Sequence, residues 1–279
     1  MDIDTADGWT FRARAAGPVD GRPVLLLHGF PQTSRCWASQ VAALGDAGYR
    51  AVAFDQRGYS PGARPPDPDR YAPDELVADV LAVADAFGFE RFDLVGHDFG
   101  GSVAWMVAGH HPDRVRTLSI ASTPHPAAFR NSYREGGEQN ERSGYMRSFR
   151  EAARGSLEAD LLADDGAGLR FVFQGLDGDA VEEYVAALAE PGALVAAVDW
   201  YRSMSGRASA ATPPAPMPTL YVWSDEDPAI GRSAAEATAS LVTGPYRFEE
   251  LAGVGHWVPE LAADRFTELL LHHLAAHPH

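Results

Sequence analysis

The 279-residue chain contains no lysine; all 23 of its basic residues are arginine. Schiff-base chemistry, covalent pyridoxal phosphate and a P-loop lysine are thereby excluded. Cysteine is nearly absent too. Cys36 stands alone, so no internal disulfide can form, and a buried, inert thiol in a cytoplasmic protein is the expectation. No apolar run approaches the roughly 20 residues of a membrane span. The opening Met1-Asp2-Ile3-Asp4 is acidic where a secretory signal would be basic, so the chain reads as soluble and unprocessed, with no membrane partner. Positive charge is also short: 39 acidic against 23 basic residues give a formal charge of -16 without a basic stripe. Nucleic acid is therefore not an expected partner. The remaining composition is globular, with 46% hydrophobic residues, enough to bury the core of one large α/β domain or of a domain carrying an insertion.

The most informative stretch is Leu94-Val95-Gly96-His97-Asp98-Phe99-Gly100-Gly101. An apolar run leads into a glycine-flanked polar residue and a helical pattern (Val103, Met106, Val107) leaves it, which is the strand-turn-helix context of a nucleophile elbow. Asp98 occupies the nucleophile position. Glycines two residues to either side suit a strained turn in which strand and helix pass close together.

In chain order, residues 9–15 have strand character, and the continuous apolar run at 24–27 fits a strand buried on both faces. That strand delivers His28-Gly29-Phe30-Pro31 to the sheet edge where α/β folds bind ligands. The backbone N–H of Phe30 is a candidate oxyanion donor, with that of Phe99 as its partner. Residues 37–47 read as a short helix, 51–54 as a strand, 61–73 as a proline-rich surface loop, 76–87 as a helix and 115–121 as a strand. This alternation predicts a mostly parallel, right-handed, doubly wound sheet. From 125 to 217 strand runs give way to helical patterns, 145–162 and 180–188 among them, and a proline-rich linker closes the stretch. The expected organisation is a core of 1–124 and 218–279 with a helical cap at 125–217. Strands are predicted again at 219–223 and 246–251, and helices at 231–241 and 261–274.

Asp98 is followed in sequence by the carboxylates Asp225, Glu226 and Asp227, and then by His256 between Gly255 and Trp257. Nucleophile, acid, histidine is the chain order of this kind of site. Asp227, directly before Pro228 and the next helix, is the favoured acid, with Asp225 in reserve. The alternative place for the acid, after the strand that follows the elbow, holds Ser122-Thr123-Pro124-His125 and no carboxylate. His97 and His125 can line a pocket or serve structure, and structure is the plainer role. His273 and His277 have i, i+4 metal spacing, but neither they nor His272 and His279 have a carboxylate or cysteine beside them. No metal is expected.

Together, His28-Gly29-Phe30-Pro31, Gly96-His97-Asp98-Phe99-Gly100-Gly101 and Gly255-His256-Trp257 resemble the α/β-hydrolase superfamily, in its aspartate-nucleophile branch of epoxide hydrolases and haloalkane dehalogenases. The resemblance implies an α/β-hydrolase fold with an inserted cap, Asp98 as nucleophile, Asp227 as acid, His256 as base and no cofactor. Asp199-Trp200-Tyr201-Arg202 resembles the segment that carries one of two cap tyrosines in epoxide hydrolases. Tyr201 takes that role, and Tyr145 the other, with Tyr133 and Tyr184 as rivals. Phe99 departs from the usual tryptophan, whose indole N–H serves the halide in dehalogenases; a phenylalanine has no such donor.

The reading is an epoxide hydrolase acting on a small-molecule apolar epoxide of unspecified size, with Asp98, His256, Asp227, Tyr201 and Tyr145 as catalytic residues. Phe30, Phe99, His28, Pro31 and Trp200 are expected at the oxyanion and substrate sites, and Trp105, Trp200, Phe149 and Phe173 around an apolar pocket. A dehalogenase, an ester or lactone hydrolase and a non-catalytic binding protein are the alternatives. The oligomeric state, homodimer included, stays open.

Overall fold

An uninterrupted run of aliphatic residues suits a strand covered on both faces. In the computed structural model, which describes residues 1–204 and 212–278, Val24, Leu25, Leu26 and Leu27 lie fully buried inside an eight-stranded sheet. Its strands are β1 (Asp2–Asp4), β2 (Thr10–Ala16), β3 (Arg22–Leu27), β4 (Tyr49–Phe54), β5 (Phe92–His97), β6 (Val115–Ala121), β7 (Thr219–Ser224) and β8 (Tyr246–Leu251). They are ordered β1-β2-β4-β3-β5-β6-β7-β8. The first two pair antiparallel, and β2 pairs antiparallel with β4; every later pairing is parallel. The expected mostly parallel, doubly wound sheet is present. The sequence reading missed β1, a three-residue strand too short to show a pattern.

Helices α1 (Ala38–Asp46), α2 (Pro73–Ala86) and α3 (Asp98–His110) connect the first parallel strands. Nearly every residue of α3 between Phe99 and Ala108 is buried, because this helix is covered by the sheet on one side and α2 on another. Between β6 and β7 the described chain is helical: α4 (Pro126–Glu135), α5 (Glu138–Arg142), α6 (Gly144–Glu151), α7 (Ser156–Val172), α8 (Gly178–Ala189) and α9 (Ala193–Ser203). Residues 205–211 of the expected cap lie outside the described residues. Helices α10 (Arg232–Ala237), α11 (Val258–Leu261) and α12 (Ala263–Ala276) complete the set among the described residues.

Two local expectations need correction. The pattern at 145–162 is two helices, since Ala152 is extended and Gly155 has a φ of 93° that helix cannot continue through. Helix α7 is itself interrupted at 163–166, where Asp164 and Asp165 are left-handed. The stretch 61–73 is not a plain surface loop: it forms two 3₁₀ turns, buries Ala63 and Tyr71, and ties the Tyr71 hydroxyl to the carbonyl of Pro65 at 2.7 Å.

Candidate active site

Strands β3, β5, β6, β7 and β8 run parallel, so the loops at their C-terminal ends converge on one edge of the sheet. Asp98 follows β5 directly with φ of 51°, a strained value for a residue with a side chain. That turn projects its carboxylate out of the edge. The space around it belongs to glycines: a Cβ on Gly100 would lie 2.3 Å from the carbonyl oxygens of Leu27 and His28, and one on Gly29 would lie 2.3 Å from the Asp98 Cβ. Backbone therefore approaches the carboxylate as no other residue would allow.

The N–H of Phe30 donates to Asp98 Oδ1 at 2.7 Å, and that of Phe99 also bonds the carboxylate. The other oxygen, Oδ2, lies 3.4 Å from His256 Nε2. On the far side of the ring, His256 Nδ1 is 2.8 Å from Asp227 Oδ2. Asp227 is fully buried and accepts from the N–H groups of Ala229 (2.8 Å) and Ile230 (3.1 Å) through Oδ1. Of the carboxylates weighed for this place, Asp227 meets the imidazole. Asp225 is exposed and instead accepts from Gly253 N–H at 2.7 Å.

Two carboxylates around one imidazole set the electrostatics. Burial alone would push His256 down, but the charge of Asp227 and the hydrogen bonds to Asp227 and Asp98 raise its pKa to about 10. Burial opposes ionisation of Asp98 and Asp227, yet His256 and their other donors hold both below the usual carboxylate range. The two flanking carboxylates thus favour the protonated ring.

The sequence reading missed Ser122. Its φ of 66° turns Oγ to within 2.8 Å of Asp227 Oδ2 and 3.1 Å of the His256 carbonyl. The signal was the short polar residue standing where a carboxylate was sought. Thr123 is a second such residue, donating from Oγ1 to the Asp98 carbonyl at 2.8 Å.

Tyr201 of α9 is buried and sets its ring edge-on to Phe99 (4.6 Å between centroids), Phe149 (5.0 Å) and Phe30 (5.2 Å). The Tyr145 ring of α6 lies 6.3 Å from it, and the two hydroxyls are hydrogen-bonded. Burial, followed for Tyr145 by the Asp98 charge, raises both phenols well above their ordinary value, so they remain protonated donors. Both line a cavity of about 80 Å³ together with Asp98 and Phe99. The rivals are elsewhere: Tyr133 stacks on Phe129 with its hydroxyl on Arg147, and Tyr184 stacks on Phe173.

Several expected pocket residues lie behind the wall. The His28 ring is fully buried, accepting from Gln56 N–H at Nε2 (3.0 Å) with Nδ1 3.0 Å from the Gly29 carbonyl, so it braces the loop that carries Phe30. Trp200 spends its indole N–H on the Arg57 carbonyl at 2.9 Å and packs behind Phe99. Pro31 is buried and lies off the cavity wall. Trp105 donates to the Thr123 carbonyl, Phe173 packs on Trp257, and Phe149 backs the two tyrosines. The wall is instead made largely by Pro73, Met106, Phe129, Met146, Met204 and Ile230. These are single residues from separate segments, with no common motif. His97 and His125 are buried and structural: His97 Nε2 donates to the His256 carbonyl (2.9 Å), and His125 caps α4; burial lowers the pKa of each to about 4. Cys36 is a buried thiol whose pKa burial pushes well up. At the far end, His273 and His277 meet edge-on with ring centroids 5.0 Å apart, and His279 lies outside the described residues.

Chemically, the arrangement offers an ionised nucleophile held by two N–H groups, an imidazole that can exchange a proton beside it, and two phenols that can donate to an oxygen across the cavity.

Comparison with known proteins agrees in fold and length. A family model described as the alpha/beta hydrolase fold matches residues 22–263. The chain is 32% identical to the AB hydrolase superfamily protein YfhM of Bacillus subtilis over 276 residues, covering 96% of this chain and 95% of that protein. It is 29% identical to epoxide hydrolase A of Mycobacterium tuberculosis, covering 98% and 96%. A crystal structure of the Bacillus megaterium epoxide hydrolase in complex with an inhibitor superposes with a TM-score of 0.89 over 99% of this chain and 100% of that one; at 23% identity this is a likeness of fold.

Proposed function

The chain belongs to the α/β-hydrolase fold family and is an enzyme of the hydrolase class, and on that premise we propose that it opens an epoxide to a vicinal diol through an ester on Asp98. The observation that carries this reading is one carboxylate, Asp98, facing two cavity tyrosines while its back is held by two N–H groups and an imidazole. Relatives named epoxide hydrolases, matched over most of their length, support it.

Asp98 is ionised and needs no base, so it attacks the strained ring directly once the cavity holds the carbon in line. As the C–O bond breaks, charge grows on the epoxide oxygen, and Tyr145 and Tyr201 donate hydrogen bonds to it. The oxygen ends as a hydroxyl and so takes up one proton. The resting imidazolium balances this: once Asp98 is esterified, one of the two anions that held the His256 proton is gone, its pKa falls, and the proton leaves to solvent. Neutral His256 then takes a proton from water, which adds to the ester carbonyl. The N–H groups of Phe30 and Phe99 bind the resulting oxyanion, and Asp227 stabilises the returning imidazolium. Collapse releases the diol and restores Asp98 and protonated His256. The helices between β6 and β7 act as the cap. A dehalogenase is disfavoured because Phe99 has no donor for a leaving halide and the Trp200 indole is committed to Arg57.

A single turnover in oxygen-18 water tests the scheme. The label is expected on the Asp98 peptide, with unlabelled diol. Labelled diol with an unlabelled peptide would mean direct attack by water and would overturn the covalent route.

A further inference from the structure

The short helix α5 grips the loop that carries Asp227. Gln139 is 1% exposed, and a buried amide is costly unless bonded. Its Nε2 donates to the Ala229 carbonyl at 2.9 Å, and its Oε1 accepts from Gly231 N–H at 2.8 Å. The side chain thus pairs with backbone on both its faces, as a neighbouring strand would. Nε2 also reaches Ser143 Oγ at 2.7 Å. One turn on, Arg142 donates to the Asp227 carbonyl while paired with Glu138 at 2.8 Å.

Helix α6 begins immediately after this clasp, and Tyr145 is its second residue. No residue of α6 falls fully inside the core, and Tyr145 itself is 39% exposed. Tyr145 meets Phe149 and Tyr201 at the cavity, but the helix that carries it places no residue fully in the core, and a helix of about two turns has little stability of its own. The buried polar anchor beside it is Gln139.

Resting on the epoxide reading, we propose that Gln139 is a positioning residue for ring opening: it registers Tyr145 against the acid loop, so that the phenol meets the epoxide oxygen while Asp98 attacks. Asp227 keeps its contacts with Ser122 Oγ and the His256 ring, neither of which runs through Gln139, so loss of Gln139 falls chiefly on the first step.

The test is rapid-quench mass spectrometry of the full chain, following formation and decay of the Asp98 ester with a terminal aryl epoxide as probe. Gln139→Met should slow ester formation about 10- to 100-fold, the effect of displacing a group by about an ångström, and leave ester decay within about threefold. In a Tyr145→Phe background the same change should cost less than about twofold, because a residue acting through Tyr145 has nothing left to position. Arg142→Gln, at a part-exposed site that tolerates change, should slow the same step by a smaller factor and carries the test should Gln139→Met not fold. Wild-type formation rates in both variants, equal loss in both steps, or full additivity with Tyr145→Phe would overturn the inference. Absence of any ester in the wild-type enzyme would instead overturn the proposed function itself.

Discussion

Asp98, Asp227 and His256 stand just beyond the ends of three strands of one sheet, where backbone N–H groups and buried hydroxyls hold them. Tyr145 and Tyr201 come from the helical segment between β6 and β7, where ring edges and ion pairs hold them. Tyr201 is the firmer of the two. Its neighbour Asp199 is fully buried and paired with Arg154 (2.8 Å) and Arg202 (2.9 Å), and Arg202 also reaches Glu158 (2.7 Å). Tyr145 has the clasp at Gln139 and a half-open surface. The contrast teaches a division of labour. On the proposed mechanism, the groups that exchange protons or charge stand at the sheet edge, whereas the neutral donors ride on helices of the segment between β6 and β7.

The comparison breaks most sharply at the nucleophile. Asp98→Ala should lower diol formation on the order of 10⁶-fold, as removal of a nucleophile does elsewhere, while the folded enzyme still binds substrate by calorimetry. His256→Gln should reduce turnover about 10²- to 10⁴-fold yet leave ester formation intact, so intact-protein mass spectra should show one added substrate mass. An inactive variant that binds substrate and gains no mass would place histidine in the first step and dissolve the division. For the helical side, Tyr145→Phe with Tyr201→Phe should slow ester formation by about 10²- to 10⁴-fold without changing ester decay, and Tyr201→Phe alone should cost more than Tyr145→Phe. Near-native single-turnover rates in the double variant would remove the phenols from the chemistry.

Smaller effects sharpen the sheet side. Ser122→Ala removes a hydroxyl bonded to an ionised carboxylate, typically about 1.5–3 kcal/mol, so ester decay should slow by roughly tenfold or more while ester formation stays put. The pH effect follows from the same pair of anions. With Asp98 ionised, His256 keeps its proton up to about 10. Asp98→Asn, neutral like the ester, removes one stabilising charge and should move the imidazole midpoint down, read by NMR of the ring protons. Below the midpoint the base is protonated and unable to act, so ester decay should rise with pH in the range where the intermediate's His256 titrates. An unmoved midpoint would mean that Asp98 does not hold the proton.

What could be read in the amino-acid order was local. The aliphatic run at 24–27 announces a strand covered on both faces, since only such strands dispense with polar alternation. The elbow is legible because a left-handed turn packed against β3 demands glycine at Gly96 and Gly100, and His256 because it stands alone between Gly255 and Trp257. What depends on meetings between distant segments had no such signature. His28 and Trp200 became braces behind the wall, their direction decided by the partners Gln56 and Arg57. The cavity surface went to residues from α2, α3, α4, α6 and beyond β7, each an ordinary apolar residue in its own context. Ser122 acquired its place at Asp227 through the left-handed turn after β6, and Gln139 through the fit of α5 onto another loop. A residue type and its spacing determine which local conformation is cheap; which side chain faces the cavity is decided by how separately folded segments close-pack, and that is a property of the tertiary structure alone.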